Sequence, residues 1–239
     1  MLASGSKERF MNRAVAEKPY KGMGMEGATA RWYASLTHKS MDEFKTLAKR
    51  VAAQITPEAR VLEVAPGPGY FAVELAKLGS YDVAGLDISR TFVEIARRNA
   101  AEARVDIDFR QGDAAHMPFD DASFDFVLCR AAFKNFSRPV QALKEMYRVL
   151  RPGGRALIID LRKDASKESV YQAVEHMHLG GVDALITKLT FRFMLLKRAY
   201  TKAEFEQLLS QTRFERVSIG EDLIGLELSL NRAATSCES

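Results

Sequence analysis

The part of this sequence best suited to chemistry is an apolar run that carries a carboxylate and enters a glycine-rich turn. It reads Val61-Leu62-Glu63-Val64-Ala65-Pro66-Gly67-Pro68-Gly69. Because Gly67 and Gly69 carry no Cβ, a ligand can approach the backbone of this turn closely. A helix that begins after the turn would direct its free amide groups at negative groups of the ligand. The pattern predicts a cofactor-binding turn, although a purely structural turn fits the same residues.

A second acidic residue stands at the distance that nucleotide cofactors need. Asp87 ends the apolar run 82–87 and comes 18 residues after Gly69. A carboxylate in that position can accept hydrogen bonds from both hydroxyls of a ribose. It can also serve only as a favourable charge at the start of the next helix, since Ser89 is a good helix cap.

A third motif distinguishes between the classes of nucleotide cofactor that such a turn could bind. It is Gln111-Gly112-Asp113-Ala114, and Met117-Pro118-Phe119-Asp120-Asp121-Ala122-Ser123-Phe124-Asp125 follows it. With these residues the sequence resembles the class I S-adenosylmethionine-dependent methyltransferases, from about residue 44 to residue 161 and again at the C-terminal hairpin. The turn Tyr147-Arg148-Val149-Leu150-Arg151-Pro152-Gly153-Gly154 is similar to a further segment common in that family.

The resemblance implies a role for each motif. The glycine turn would hold the methionine half of S-adenosylmethionine, Asp87 its ribose, and Asp113 with Ala114 its adenine. We expect Glu63 to face the ammonium group of the cofactor and the amides of the first helix to face its carboxylate. Aromatic side chains can contact the sulfonium by cation–π attraction, and Tyr20, Trp32, Tyr33 and Phe133 are candidates. The expected cofactor-binding residues are Glu63, Ala65, Pro66, Gly67, Gly69, Asp87, Ile88, Asp113, Ala114, Arg130 and Tyr33, and the expected product is S-adenosylhomocysteine.

The chain departs from the family pattern in three places, one of which is the pair Pro66 and Pro68, because these prolines stiffen a loop that usually has more permissive residues. Ala65 stands where glycine is common, and its methyl group narrows the turn. The residues after the fourth predicted strand, Arg130-Ala131-Ala132-Phe133-Lys134-Asn135-Phe136, hold no obvious general base. Methyl transfer from a sulfonium is an in-line displacement that positioning alone can accelerate strongly. A base is needed only where the acceptor must lose a proton, so no catalytic residue is assigned.

The elements that would position these residues alternate between strands and helices, which predicts parallel βαβ units. The resemblance implies an α/β fold with a Rossmann-like seven-stranded sheet, mostly parallel, its last strand antiparallel and helices on both faces. Predicted strands cover 60–64, 82–87, 105–110, 124–129 and 156–160, followed by a hairpin of 214–219 and 223–230 with its turn at 220–222. Predicted helices cover 41–54, 70–78, 89–100, 139–150 and 201–209.

Two segments lie outside this alternation. Residues 1–40 are polar and irregular, which predicts an N-terminal flap or tail before the methyltransferase domain of residues 41–239. Residues 163–199 are too many for a simple connection and predict an inserted cap of one or two helices. We expect this cap to cover an apolar or aromatic substrate. Asp160, at the end of the fifth strand, would either orient that substrate or pair with Arg162 or Lys163.

Composition excludes several classes of protein. With 239 residues, 47% of them apolar and 28% charged, the chain is neither disordered nor a coiled coil. The net charge of +4 makes no basic patch for nucleic acid by itself. Two cysteines are too few for a disulfide framework or a tetrahedral zinc site and favour a reducing compartment.

His176 and His178 are two residues apart on a predicted helix, so no metal site is expected. No run suits a signal peptide or a membrane-spanning helix, and we expect a cytoplasmic enzyme acting on a small molecule.

Three other functions use the same residues. A nicotinamide-dependent oxidoreductase would explain Gly67-x-Gly69-x-x-Ala72 and Asp87, but the Asp113-Ala114 pair and the antiparallel hairpin disfavour it. A nucleic-acid methyltransferase would have an Asn-Pro-Pro-aromatic run where this chain has Cys129-Arg130-Ala131-Ala132. A non-catalytic binding module that keeps the fold is disfavoured by the intact cofactor motifs.

Overall fold

A computed structural model of the protein describes residues 20–21, 24–176 and 196–234. The described helices are α1 (Gly27–His38), α2 (Met41–Ala52), α3 (Tyr70–Ala76), α4 (Arg90–Ala103), α5 (Pro139–Val149), α6 (Lys167–His176) and α7 (Lys202–Leu209), with a short 3₁₀ turn at Phe133–Asn135. The strands are β1 (Arg60–Val64), β2 (Asp82–Asp87), β3 (Asp108–Gln111), β4 (Phe124–Arg130), β5 (Leu150–Leu161), β6 (Arg216–Glu221) and β7 (Gly225–Asn231).

The strands form one sheet of seven in the order β3-β2-β1-β4-β5-β7-β6. Every neighbouring pair from β3 to β5 is parallel, and β7 runs antiparallel to both β5 and β6. The predicted mostly parallel sheet with an antiparallel last strand is therefore confirmed. The chain order reverses between β1 and β4, which is the point where open α/β sheets bind ligands at the carboxyl ends of their strands.

The central strands are buried on both faces, as their apolar sequences predict. Leu62 and Val64 of β1 belong to one hydrophobic cluster, and Val61, which precedes them, belongs to a second cluster on the other side. β4 alternates in the same way, since Val127 faces the first cluster and Leu128 the second. Helices can therefore pack on both faces of the sheet. This packing holds the ends of the strands in fixed positions.

Local sequence signals set several helix boundaries. The Ser89 hydroxyl accepts a hydrogen bond from Phe92 N at 3.0 Å and starts α4, and Pro139 occupies the first turn of α5. Thr201 and Glu204 form a complete capping box at the start of α7. These helices begin within one residue of their predicted positions.

Some predicted boundaries are wrong, and two of them are displaced by contacts that are distant in sequence. Residues 1–40 are not irregular throughout, since α1 forms where Ala30 and Ala34 pack against α4. The fifth strand begins at Leu150, which pairs with Phe124, and residues 151–154 bulge before Arg155 pairs with Phe126. The third strand is shorter than predicted and begins at Asp108.

The turn of the hairpin also moves. β6 continues to Glu221, and the turn lies at residues 222–224 instead of 220–222. Asp222 causes the shift, because its Oδ1 accepts hydrogen bonds from Ile224 N at 2.9 Å and Gly225 N at 2.6 Å.

Most of the predicted cap lies outside the described residues, which leave out 177–195. The parts that are described are α6 and residues 196–200, and Val170, Val174 and Leu196 pack together there. Of the helices that the structure describes, none is both long and apolar enough to cross a lipid bilayer.

Candidate active site

The carboxyl ends of four parallel strands bring the predicted residues to one edge of the sheet. Val64 of β1 pairs with Leu86 of β2 on one side and with Cys129 of β4 on the other. Asp87 and Arg130 therefore end β2 and β4, and Glu63 lies one residue before the end of β1 between them. Asp160 lies one residue before the end of β5, which is next to β4. This edge is the candidate active site.

The glycine turn after β1 has left-handed backbone at three positions, with φ of 56° at Ala65, 55° at Gly67 and 75° at Gly69. Ala65 N donates to Leu86 O at 2.7 Å and Gly69 N donates to Pro66 O at 3.0 Å, which fixes the turn between β1 and β2. Ala65 adopts the conformation in which glycine is favoured, so the family pattern and the geometry agree on what this position requires.

The two glycines of the turn serve different purposes. A Cβ on Gly69 would lie 2.7 Å from Phe109 Cζ and 2.9 Å from Ala96 Cβ, so Gly69 allows α3 to pack closely against its neighbours. A Cβ on Gly67 would meet no atom within 4 Å, although Gly67 itself is buried. Open space therefore lies beside Gly67, where a ligand can contact the backbone.

Asp87 is buried at this edge, with 5% of its surface exposed. Its Oδ2 accepts a hydrogen bond from Gly67 N at 2.9 Å, and its Oδ1 accepts one from Ser89 N at 2.8 Å. Burial raises the pKa of Asp87 to about 6, although these amide donors favour the carboxylate. Each oxygen retains a second acceptor direction, so the carboxylate can still receive both hydroxyls of a ribose.

Glu63 is a buried carboxyl group with 3% of its surface exposed. Its Oε2 accepts a hydrogen bond from Ala72 N of α3 at 3.1 Å. Burial raises the pKa of Glu63 to about 8, and the positive charge of Arg130 offsets only part of this shift. Arg130 is itself paired with Glu43, at 2.7 Å between Nη2 and Oε2. A cationic group of a ligand beside Glu63 would stabilise its charged form.

Asp113 is held next to this edge by backbone and side-chain contacts. Gly112 N donates to Asp87 O at 2.9 Å, which ties the end of β3 to the end of β2. Oδ1 of Asp113 accepts from Ala115 N at 2.9 Å, and Oδ2 pairs with Arg138 Nη2 at 2.6 Å. The carboxylate is therefore oriented by Arg138, a residue that the sequence motifs do not indicate.

Residues 24–38 lie over the same edge. Ser89 Oγ donates to Met25 O at 2.6 Å, and Glu26 accepts hydrogen bonds from Arg90 N at 3.0 Å and Thr91 N at 3.1 Å. Tyr33 packs edge-on against Phe92, with ring centroids 5.8 Å apart. The covering contacts of Met25 and Glu26 were missed by sequence reasoning, because a polar Gly/Met-rich stretch gives no signal of where it docks.

Two tyrosines respond to the charges of this edge, Tyr33 of α1 and Tyr20, whose backbone forms a bridge with Phe136. Burial raises the pKa of Tyr33, and the negative charges of Asp160 and Asp87 raise it further while Arg130 opposes them. Burial likewise raises the pKa of Tyr20 to about 12, with contributions from Tyr33, Asp87 and Asp160. Tyr20 and Tyr33 therefore lie within electrostatic range of both Asp87 and Asp160.

A sequence profile of the methyltransferase-domain family matches residues 62–158, which span β1 to β5. The chain is 42% identical over 108 residues to a demethylmenaquinone methyltransferase of Deinococcus radiodurans, covering 45% of each chain. It is 32% identical over 177 residues to a demethylmenaquinone methyltransferase of Chlorobaculum parvum, covering 71% of this chain and 72% of that relative. The chain belongs to the class I S-adenosylmethionine-dependent methyltransferases.

A solved structure supports the fold of this methyltransferase independently. A candidate S-adenosyl-L-methionine-dependent methyltransferase of Methanococcus maripaludis superposes with a TM-score of 0.73 and covers 91% of this chain and 98% of its own. At 18% sequence identity this likeness concerns the architecture alone.

The family takes its methyl group from S-adenosylmethionine and releases S-adenosylhomocysteine, and the residues at this edge fit that cofactor. Open space at Gly67 leaves room for a ligand against the turn. Glu63 is a buried carboxyl group that a ligand ammonium would compensate, and Asp87 offers two acceptor oxygens for a ribose. That the predicted residues contact the cofactor in these roles stays a prediction.

The predicted aromatic candidates separate into different environments. Trp32 is 64% exposed and is not brought to the edge. Phe133 is fully buried in an aromatic cluster with Phe136, Tyr200 and Phe205, with ring centroids 5.2 to 5.9 Å apart. Of the four candidates, Tyr20 and Tyr33 respond electrostatically to Asp87 and Asp160, and Phe133 directly precedes Lys134, whose backbone N donates to Asp160.

A buried ion pair that sequence reasoning missed lies beyond the carboxyl ends of β4 and β5. Lys134 Nζ lies 2.8 Å from Asp160 Oδ1, and only 4% and 1% of the two side chains are exposed. Lys134 N and Leu161 N also donate to this carboxylate, at 2.8 and 2.7 Å. The predicted ion pair of Asp160 with Arg162 or Lys163 is wrong. Arg162 pairs with Asp164 and Glu221, and Lys163 pairs with Glu204.

Proposed function

We propose that this methyltransferase transfers the methyl group of S-adenosylmethionine to a ring carbon of a small, lipophilic phenol or quinol. The demethylmenaquinone methyltransferases among its relatives support this class of acceptor. The single observation that carries the proposal is the buried Lys134–Asp160 pair beside the aromatic cluster of Phe133, at the carboxyl ends of β4 and β5. The nicotinamide alternative is not supported.

The chemistry of such an acceptor explains why a buried cation is useful. A phenol ring becomes nucleophilic at carbon when its hydroxyl proton leaves and the negative charge spreads into the ring. Lys134 Nζ donates to Asp160 Oδ1 and to Ala131 O, and an ammonium group has three donors in all. We assign the third N–H to the oxygen of the acceptor, where it stabilises the phenolate in a site of low dielectric.

The displacement itself requires little more than alignment. The cofactor would supply the methyl group, whose bond to sulfur would break as its bond to the ring carbon forms, leaving S-adenosylhomocysteine as a neutral thioether. The hydrogen displaced from that ring carbon would then leave as a proton to water, which restores the aromatic ring. Met25 and Glu26 hold residues 24–38 over the edge by hydrogen bonds to Ser89, Arg90 and Thr91, so this segment can shield the site from water. Exclusion of water and near-attack geometry then supply most of the acceleration.

The same proposal includes the setting of the reaction. We place the protein in the cytoplasm, because two cysteines without a disulfide framework suit a reducing compartment. We also propose that the acceptor is not a nucleic acid. The net charge is only +4, and many arginines are already paired with carboxylates, among them Arg50, Arg138 and Arg151.

The test is a methyl-transfer assay with the full chain, S-adenosylmethionine and a demethylated quinol that carries a short, water-soluble side chain. We expect a product heavier by one methyl group on carbon, together with S-adenosylhomocysteine. Lys134→Arg keeps a buried cation and should retain turnover, whereas Lys134→Gln should lose most of kcat and keep the affinity for S-adenosylhomocysteine. Methylation of thiols or amines but of no phenol or quinol would show that the proposed acceptor is wrong.

A further inference from the structure

The helix that covers the active-site edge has a well-defined inner face. Ala30 and Ala34 of α1 are buried against Phe92 and Ile95 of α4. Tyr70 donates its hydroxyl to Ala34 O at 3.0 Å, which ties α1 to α3 as well. These contacts fix the rotation of α1 about its axis, and they determine which of its residues point away from the protein.

The opposite face of α1 exposes large apolar side chains. Trp32 is 64% exposed and Leu36 is 43% exposed, and residues four apart lie next to each other on a helix. Trp32 is the single tryptophan of the chain. Adjacent exposed apolar side chains of this size on one helix face indicate a contact with another surface.

The charged side chains of α1 and of its C-terminal cap are all basic. Arg31 and Lys39 are exposed on α1 and its C-terminal cap, and no ion pair of either residue occurs in the described part of the chain. The segment from Gly27 to Lys39 contains no aspartate or glutamate. We define Arg31, Trp32, Leu36 and Lys39 as the outer face of α1.

We propose that the outer face of α1 docks on the surface of an anionic lipid bilayer. Tryptophan is favoured at the boundary between lipid and water, and leucine can enter the acyl region beneath it. Arg31 and Lys39 complement the negative headgroups, each by about 1 kcal/mol.

The proposal rests on the proposed function for its purpose, because a lipophilic quinol resides in the bilayer. The inner face of α1 packs on Phe92 of α4 and on Tyr70 of α3, and both helices begin at the edge that holds Asp87 and Glu63. Docking of the outer face would therefore bring that edge close to the membrane surface. The acceptor would then reach the site without crossing water. The outer face of α1 would contact the bilayer and would not contact the ring of the acceptor.

Trp32 provides a direct spectroscopic test. Vesicles of phosphatidylglycerol and phosphatidylcholine in equal amounts should shift its emission to the blue, and the shift should disappear in high salt. Vesicles of phosphatidylcholine alone should bind the protein at least about tenfold more weakly, since two basic residues contribute to binding. Lys39→Glu retains the probe and should weaken binding to the anionic vesicles by about tenfold.

Sedimentation with the same vesicles tests the apolar side chains. Trp32→Ala combined with Leu36→Ala should reduce the bound fraction by at least about tenfold, because both side chains lose their burial in lipid. Leu223→Ala is the matched control, since Leu223 is 49% exposed at the turn between β6 and β7. The control variant should bind like the wild type.

Several results would overturn the inference. Trp32 emission that is unchanged by anionic vesicles, or shifted equally by neutral ones, would contradict it. So would emission that is already blue-shifted without lipid in a protein that sediments as two copies, because a protein would then cover this face. Normal turnover of the water-soluble quinol without vesicle binding would refute the docking alone, and vesicle binding without turnover of any quinol would refute the proposed function alone.

Discussion

Glu63→Gln is the substitution that most directly tests how the site is built. Glu63 has 3% of its surface exposed, and burial raises its pKa from 4.5 to about 8. The folded protein therefore binds a proton at this group over a range of pH in which the unfolded chain has released it. Stability falls as the pH rises through this window, because the unfolded state then gains by ionising.

The size of the effect follows from the shift. One pKa unit corresponds to about 1.4 kcal/mol, so the carboxyl group of Glu63 should lower the free energy of unfolding by on the order of 5 kcal/mol between low pH and pH above 8. Burial also raises the pKa of Asp87, to about 6. The range between pH 6 and pH 8 therefore isolates Glu63 from Asp87.

The assay is urea unfolding of the ligand-free protein across this range. Wild type should lose stability at up to about 1.4 kcal/mol per pH unit, and Glu63→Gln should not, because its amide has no proton to release. The amide oxygen can still accept the hydrogen bond of Ala72 N, so the fold is preserved. If the free energy of unfolding of both proteins changed with pH in the same way, Glu63 would not be a buried carboxyl group without a compensating partner.

Ligand binding gives a second readout of the same substitution. If the ammonium of S-adenosylhomocysteine faces Glu63, binding favours the carboxylate and releases a proton. Affinity of the wild type should then rise between pH 6 and pH 8, by at most about tenfold per unit. Glu63→Gln should bind more weakly and without this rise. A variant that keeps the rise would show that the ammonium lies elsewhere.

Three further predictions concern packing, strain and the ion pair. Gly69→Ala should destabilise the protein by about 3–5 kcal/mol, because the added Cβ clashes with its neighbours at a left-handed φ. Gly67→Ala should lower the free energy of unfolding by only about 1–2 kcal/mol, but calorimetry should show weak binding of S-adenosylhomocysteine. Ala65→Gly should leave the thermal midpoint unchanged or slightly raised, because relief of about 1–2 kcal/mol of strain outweighs the entropy of glycine; a clear loss would mean that the methyl group packs favourably. Lys134→Met should lower the free energy of unfolding in urea by about 3–5 kcal/mol, because Asp160 is then charged and buried without a partner. The double variant with Asp160→Asn should regain part of this stability. Equal losses in the single and the double variant would argue against an uncompensated charge.

The parts of the fold that local signals determine could be predicted from the sequence. Ser89 and Thr201 cap helices through hydrogen bonds to residues three positions away, and no distant contact is needed to recognise them. The carboxylates of Glu63 and Asp87 could be placed at one edge for a similar reason. Each lies at or near the carboxyl end of an apolar strand, and parallel strands end on the same side of a sheet.

The features that sequence reasoning missed depend on distant partners. Lys134 reads as an ordinary surface lysine, and only the approach of Asp160, 26 residues away, makes it a buried cation. Glu26 reads as part of a polar tail, and its role appears only where it accepts hydrogen bonds from the first amides of α4, 64 and 65 residues later. No periodicity or motif within a short window contains such information.

At the active-site edge, several residues adopt backbone conformations or environments that are unfavourable for their residue type. Ala65 takes a left-handed conformation, and Glu63 and Asp87 are buried with raised pKa values. Each of these features destabilises the protein on its own. A ligand that brings an ammonium to Glu63 and hydroxyl donors to Asp87 would compensate both carboxylates at once, so the cofactor should stabilise the fold more than its contact area suggests. Strain and buried charge at this edge are therefore the reason to expect that cofactor binding and folding stability are coupled in this methyltransferase.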